Sequence, residues 1–238
     1  MRQHATVTFG GADSIIQADG VSTVVAIAIL PTDMATNPLG ADAISAVGRS
    51  MGFSVQPDAA EALGRFGRLF LQWNDRINLA SLRAPSDLPE RHFVDAFAAS
   101  RVIRTGDVVA DVGAGGGLPA IPLALLQPTC RFELFEPIRK KVAFLRTAVR
   151  ELGLSARVVV HPFSVTNPPA VEFARRFDVA SSRATFAPPA WLQLGGQLVR
   201  PGGRILVFAA GESAGGLPPA VETLDYGENR RLLVFESA

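Results

Sequence analysis

The apolar positions of the chain change their spacing near residue 105. Before that point, residues 58–77 carry an apolar stripe at helical spacing, formed by Leu63, Phe66, Phe70, Trp73 and Ile77. After it, short apolar runs alternate with segments of helical period. A helical stripe predicts an amphipathic helix, whereas runs separated by helical segments predict parallel strands with crossover helices. The pattern therefore predicts a doubly wound, mostly parallel α/β sheet that follows a helical segment.

The predicted strands cover residues 108–112, 132–135, 158–160, 177–180, 205–208 and 232–235. Helices are predicted over 118–126 and 137–152, the second with Pro137 at its start and Gly153 after its end. Proline suits the first position of a helix, and glycine suits the position after the last. We therefore divide the chain into an extension of uncertain structure (1–55), a helical segment (56–104) and a sheet domain (105–238).

The first 55 residues show no sustained helical period. Their apolar run, residues 24–30, is much shorter than the roughly 20 residues that span a membrane. No cluster of basic residues precedes this run, so a signal peptide is not favoured, and a start at Met34 or Met51 is an alternative. We expect no membrane association.

Composition narrows the function classes. The 238 residues are 48% hydrophobic and 19% charged, which predicts a packed globular protein. Lys plus Arg number 23 and Asp plus Glu 22, so any nucleic-acid binding must depend on local clusters of charge. With Cys130 alone and three histidines, an internal disulfide is excluded and a zinc site is not expected. These counts fit a cytoplasmic protein without a metal.

Residues 111–122 read D-V-G-A-G-G-G-L-P-A-I-P, so an apolar strand ends in four glycines before a new apolar segment begins. Glycines allow unusual backbone angles and let a ligand lie directly on the main chain. A helix that begins near Pro119 would also direct free N–H groups at that ligand. The candidate binding residues are Asp111, Gly113, Gly115, Gly117 and Leu118. A tight connection without a ligand is the alternative.

An acid follows the second predicted strand. Glu136 comes 25 residues after Asp111, close to the offset at which a carboxylate binds the ribose hydroxyls of a nucleoside cofactor. A dinucleotide and S-adenosylmethionine are both possible ligands. The turn lacks the last glycine or alanine of the dinucleotide pattern, and Pro201-Gly202-Gly203 before the fifth predicted strand resembles S-adenosylmethionine-dependent methyltransferases. We therefore favour the methyl donor.

Polar side chains near the end of the first helix are candidates for substrate binding. Asn78, His92 and Asp95 lie among apolar neighbours, and structural capping is the alternative interpretation for each. The helix predicted over 137–152 also has a basic face that includes Lys140 and Lys141. Such a face suits a phosphate backbone, although a solvated surface is the commoner explanation.

The chain resembles the ribosomal RNA small subunit methyltransferase G family. The resemblance depends on W-N-x-x-x-N-L at 73–79, R-H-x-x-D at 91–95, the glycine turn, K-K-V-x-F-L at 140–145 and S-R-A at 182–184. It implies the seven-stranded fold of class I S-adenosylmethionine-dependent methyltransferases, and methylation of N7 of a guanine in the 530 loop of 16S ribosomal RNA. The implied partner is that RNA or the small ribosomal subunit, and we expect a monomer.

The resemblance also implies roles for single residues. Gly113 and Leu118 would contact the cofactor, and Arg183 would act in catalysis beside the cofactor or the RNA. Asn78, His92 and Asp95 match polar positions of the family.

Two segments depart from the family pattern: residues 161–165 offer no carboxylate, and residues 209–211 lack a lysine. A methyltransferase for a small molecule or a protein, and a binding module without turnover, therefore remain alternatives.

Overall fold

The computed structural model describes residues 37–210, 216–226 and 229–238. The extension up to residue 36, with its apolar run, and Gly211 of the 209–211 segment lie outside the described residues. The helices are α1 (Ala41–Ser50), α2 (Pro57–Ile77), a π-helix (Leu88–Phe93), α3 (Val94–Ser100), α4 (Ala120–Leu126), α5 (Arg139–Glu151) and α6 (Pro188–Leu198). The strands are β1 (Val108–Val112), β2 (Arg131–Phe135), β3 (Val158–His161), β4 (Phe177–Ser182), β5 (Val199–Ala210), β6 (Glu222–Tyr226) and β7 (Arg230–Glu236).

The strands form one seven-stranded sheet in the order β3-β2-β1-β4-β5-β7-β6. The first five are parallel, and β7 runs antiparallel to both β5 and β6. After β1 the chain continues through β2 and β3 on one side and returns to β4 on the other. The strand order therefore reverses between β1 and β4, where open α/β sheets bind ligands at their carboxyl edge. The predicted doubly wound fold is confirmed.

Two hydrophobic layers cover the sheet. Helices α1 to α5 pack on one face, where the predicted stripe of α2 supplies the fully buried Leu63, Phe66 and Phe70. Helix α6 covers part of the other face with Trp191, whose indole N–H donates to the main chain of β5 at 2.8 Å. The helices before the sheet therefore share a core with it.

Three elements were not predicted. Helix α1 lies within the extension and buries Ala43, Ile44 and Val47, a spacing obscured by the small residues around it. Helix α6 begins with two prolines and contains two glycines, which hid its period. Strand β6 is mostly exposed, so its sequence lacks the apolar run by which the other strands were found.

Several predicted boundaries were wrong. Helix α4 begins at Ala120 and is only seven residues long, with Pro119 before it. Helix α5 begins at Arg139, two residues after the predicted Pro137. The glycines at 202–203 lie within β5 instead of before it, because the register against β4 shifts between Phe177 and Val179 and the strand bulges there.

Candidate functional site

The glycine turn lies between the end of β1 and the start of α4, at the point where the strand order reverses. Gly113, Gly115 and Gly117 have φ values of 76°, 57° and 72°, which side chains rarely allow. The N–H groups of Gly113 and Ala114 both donate to the carbonyl of Phe135, at 2.9 and 3.0 Å. The turn is therefore tied to the end of β2, the neighbouring strand.

The inner side of the turn is closely packed. A Cβ atom at Gly116 would lie 2.6 Å from the Phe70 ring and 3.1 Å from the Cβ of Leu79. A Cβ atom at Gly117 would lie 2.6 Å from Ile121. Phe70 of α2 and Leu79, two residues after that helix, thus pack against the inner side of the turn, while Gly113, Gly115 and Leu118 keep part of their surface exposed. These three are the turn residues that a ligand can reach.

Glu136 lies at the carboxyl end of β2 and is 97% buried, with an exposed fraction of 3%. Its Oε2 accepts a hydrogen bond from the N–H of Gly115 at 2.8 Å, and its Oε1 accepts one from Ile138 at 2.8 Å. Each carboxylate oxygen has two lone pairs, so both retain capacity for hydroxyl donors. The carboxylate is held beside the turn in the position expected for a ribose ligand.

Asp111 lies inside β1, opposite Ser181 of β4. The Ser181 hydroxyl donates to Oδ1 of Asp111 at 2.7 Å. Burial raises the pKa of this carboxyl to about 7, against the opposing effects of the Ser181 hydrogen bond and the Arg183 charge. Asp111 therefore stabilises the pairing of the strands directly below the turn.

Arg183, immediately after β4, joins two of the predicted substrate residues. Its Nε lies 2.7 Å from Oδ2 of Asp95, and its NH1 donates to Nδ1 of His92 at 2.9 Å. The Nε contact is an ion pair by its distance and opposite charges, and its geometry is not that of a hydrogen bond. His92, Asp95 and Arg183, separated by up to 91 residues, thus form one cluster at the carboxyl edge of the sheet.

Two further residues complete this cluster and were missed in the sequence. The hydroxyl of Tyr226 donates to Oδ1 of Asp95 at 2.8 Å, and NH1 of Arg230 donates to the same oxygen at 3.1 Å. Arg230 is the first residue of β7, two residues before the strand predicted over 232–235, and no pattern in the sequence indicated its role. The available signal for Tyr226 was that it is the only tyrosine in the chain.

The electrostatics of the cluster shift the pKa values of His92 and Asp95. Burial, together with the charges of Arg183, Arg230 and Arg91, lowers the pKa of His92 to about 4. His92 is therefore neutral at pH 7, and because Nδ1 accepts from Arg183, its proton is on Nε2. Burial raises the pKa of Asp95, while the two arginines that contact it act in the opposite direction. The Asp95 side chain thus pairs with two arginines at a position that is buried from solvent.

The remaining candidates lie apart from the cluster. Asn78 ends α2 in a left-handed conformation with φ of 53° and is exposed, one residue before the Leu79 that packs under the turn. Lys140 is exposed on α5 and Lys141 is half-buried there. The structure therefore places Asn78 beside the turn, and the two lysines one helix turn after Glu136.

Two features are absent from the described part of the chain. None of its helices is long and apolar enough to cross a membrane. No group of three or more His, Cys, Asp or Glu side chains in the same residues is arranged to hold a metal ion.

Comparison with known proteins identifies the relatives of the chain. The profile of the family described as rRNA small subunit methyltransferase G matches residues 59–215. Proteins named ribosomal RNA small subunit methyltransferase G are similar to it. The one from Myxococcus xanthus is 34% identical over 70% of this chain and 76% of its own length. The one from Stenotrophomonas maltophilia is 36% identical over 74% and 81%.

Solved structures agree on the fold. A putative O-methyltransferase from Klebsiella pneumoniae superposes with a TM-score of 0.54 at 15% identity, covering 73% of this chain and 90% of its own. A putative transferase from Pyrococcus horikoshii gives a TM-score of 0.50 at 16% identity, covering 67% of each chain. The glycine turn and the buried Glu136 beside it fit S-adenosylmethionine, the methyl donor of this fold class. The chain belongs to the rRNA small subunit methyltransferase G family.

Proposed function

We propose that this chain transfers the methyl group of S-adenosylmethionine to N7 of a guanine in the 530 loop of 16S ribosomal RNA. Family membership supports methylation of ribosomal RNA of the small subunit. The choice of N7 is supported by the chemistry of the cluster around Arg183. We take that cluster as the main observation behind the proposal.

Methylation of N7 needs no strong general base. N7 has a free lone pair, so its bond to the methyl carbon forms as the bond from carbon to sulfur breaks and its electrons remain on sulfur. The cofactor supplies the electrophilic methyl group, and the protein must align the acceptor and manage charge. The cluster matches this task, because His92 is neutral with Nδ1 occupied and Asp95 is engaged by two arginines. Neither side chain is free to remove a proton.

The role of Arg183 follows from the charge that develops. A positive charge passes from the sulfonium to the base, and an unpaired guanidinium nearby would oppose it. The ion pair with Asp95 offsets the charge of Arg183. An N–H donor aimed at N7 would occupy the lone pair that must react, so we assign Arg183 to O6 of the guanine or to an adjacent phosphate. Asp95 and His92 hold it in that orientation.

The cofactor residues keep their proposed roles. The main chain at Gly113 and Gly115 and the side chain of Leu118 would contact the donor, and Glu136 would accept the ribose hydroxyls. Gly117 and Asp111 would hold the backbone of the turn in place without contacting the cofactor, Gly117 by its packing against Ile121 and Asp111 by its hydrogen bond from Ser181. Arg183 would also lie near the donor, because it follows β4 directly beside β1.

The RNA contacts are proposed on the surface around this site. Asn78 beside the turn, and Lys140 and Lys141 on α5, would bind the strand that carries the target base. A guanine in structured RNA must be unstacked to react, and cationic side chains hold the adjacent phosphates. We further propose that the protein acts as a cytoplasmic monomer and without a metal, since attack by a lone pair needs no Lewis acid.

The test is methyl transfer from labelled S-adenosylmethionine to 16S rRNA, naked and within 30S particles, followed by mapping of the modified base. N7-methylguanine in the 530 loop is expected. Label at another base, or in a small-molecule or protein fraction, contradicts the proposal. Cofactor binding by calorimetry without any transfer would instead indicate a binding module.

A further inference from the structure

A cavity of about 830 Å³ opens at the carboxyl edge of the sheet. Its charged lining residues are Arg83, Asp87, Glu90, Arg91, Arg101, Asp225 and Arg230. Helix α1 forms one wall, where the guanidinium of Arg101 lies 3.6 Å from the position that a Cβ at Gly52 would take. The π-helix and β6 form other walls. The volume is within the range of cavities that bind small organic groups.

The cavity is separate from the glycine turn. Arg230 pairs with Ala210 at the carboxyl end of β5, so the cavity lies on the edge that also carries Arg183. In the sheet order, β7 and β6 lie three and four strands from β1. Since neighbouring strands are about 4.8 Å apart, the separation is roughly 14 to 19 Å. Such a distance places the cavity a few nucleotides away from a base over the turn.

The charges in the cavity are of two kinds. Asp87 binds Arg83 and Arg91 at 3.5 Å each, and Asp95 binds Arg230 at 3.1 Å. The side chains of Arg101, Glu90 and Asp225, by contrast, make no hydrogen bond or ion pair with any residue that the structure describes. The cavity therefore offers a free guanidinium beside paired arginines, together with two free carboxylates.

We infer that this cavity binds one nucleotide of the RNA substrate other than the methylated guanine, an inference that rests on the proposed function. A guanidinium binds phosphate oxygens through two parallel N–H donors, which assigns the phosphate to Arg101. A carboxylate accepts hydrogen bonds from the exocyclic amino group of a base, which assigns the base to Glu90 or Asp225. Single-stranded RNA loops present such splayed bases.

Arg230 connects the cavity with the reaction site. It lines the cavity, while its NH1 donates both to Oδ1 of Asp95 and to the carbonyl of Arg91. Asp95 in turn orients Arg183. A nucleotide in the cavity would thus contact Arg230, whose partner Asp95 positions the arginine of the methyl-transfer site, and its binding would set the register of the target base.

The first test measures methylation of naked 16S rRNA by full-length protein at several salt concentrations. For Arg101→Ala we expect the KM for RNA to rise about tenfold, while kcat and the KM for S-adenosylmethionine stay unchanged. Loss of one phosphate contact on a single strand should also reduce the slope of log affinity against log salt by about 0.7. Arg101→Lys, which keeps the charge, should restore that slope. Arg65→Ala, at an exposed arginine of α2 outside the cavity, is the control and should match wild type.

The second test distinguishes a nucleotide from a bare phosphate by the sign of the effect. A carboxylate that accepts from a base amino group favours binding, whereas one that merely lies beside a phosphate repels it. For the double variant Glu90→Ala/Asp225→Ala we therefore expect a KM for RNA several-fold higher than that of wild type, with the salt slope unchanged. A lower or an unchanged KM overturns the assignment of the base.

Direct RNA binding separates this inference from the proposed reaction. If wild type binds RNA without methylating it, and Arg101→Ala binds that RNA more weakly, the proposed reaction is refuted and nucleotide binding in the cavity is supported. If wild type methylates the RNA and Arg101→Ala has the same KM and salt slope, the proposed reaction is supported and nucleotide binding in the cavity is refuted. If Arg101→Ala changes the KM for 30S particles but not the KM for naked RNA, the cavity binds a ribosomal protein instead of a nucleotide. That result also overturns the inference.

Discussion

Substitution of Gly113 by alanine tests how closely the segment after β4 covers the glycine turn. Gly113 has φ of 76°, and an added Cβ would lie 2.3 Å from Oγ1 and 2.6 Å from Cγ2 of Thr185. Thr185 comes two residues after Arg183, so this contact ties the proposed catalytic segment to the cofactor turn. The substitution therefore has two costs, one in the backbone and one in packing.

The two costs can be separated with a matched glycine. The left-handed backbone costs alanine about 1–2 kcal/mol, and overpacking typically adds about 1–3 kcal/mol. Gly153 has nearly the same φ of 70° but nothing within 4 Å of its added Cβ. We expect Gly113→Ala to reduce the free energy of unfolding by about 2–5 kcal/mol and Gly153→Ala by about 1–2 kcal/mol.

Urea denaturation of both variants measures the difference, and a double-mutant cycle assigns it. Thr185→Ala removes the Oγ1 and Cγ2 contacts, although its Cβ would still lie 2.9 Å away. In the Thr185→Ala background, Gly113→Ala should be less costly by about 1 kcal/mol or more. Equal losses at Gly113 and Gly153, with no coupling to Thr185, would show that the segment after β4 does not lie on the turn.

Three more outcomes follow from the site. Arg183→Ala should remove most methyl transfer to 16S rRNA with the circular dichroism spectrum retained, and normal turnover in the purified variant would refute the proposed role. Tyr226→Phe should destabilise the protein by about 1 kcal/mol in urea, through loss of a buried hydrogen bond to Asp95; an unchanged midpoint would contradict that bond. Because burial raises the pKa of Asp111 to about 7, the free energy of unfolding of wild type minus that of Asp111→Asn should fall as pH rises from about 4 to about 7; His92, whose lowered pKa acts in the opposite direction, is present in both proteins and cancels in this difference.

The parts of the site that the sequence predicted are those that depend on local spacing. The glycine turn and Glu136 belong to one β-turn-α-β unit, so their proximity follows from the alternation of strands and helices. The cluster of His92 with Arg183 was accessible only through the family resemblance. Its members are 91 residues apart, and no period in the sequence joins a π-helix to the end of β4.

The parts that the sequence did not predict depend on the antiparallel end of the sheet. Tyr226 and Arg230 reach Asp95 across 131 and 135 residues, because β7 pairs antiparallel with β5 and β6 pairs antiparallel with β7, which brings the end of β6 and the start of β7 to the carboxyl edge. A hydrophobic pattern shows that β7 is a strand but not which strand it adjoins. The direction of β7 decides that Arg230, its first residue, lies at the carboxyl edge of the sheet.

One buried carboxylate therefore organises the site. Asp95 belongs to the helical layer, Arg183 follows β4, and Tyr226 and Arg230 lie on strands beyond the residues that match the family profile. Burial raises the pKa of this acid, whereas its two arginines act to lower it. The arginines in turn need the carboxylate, because a buried charge without a partner is strongly destabilising. The orientation of Arg183 consequently depends on the last strands of the chain as well as on the helical layer that precedes the sheet.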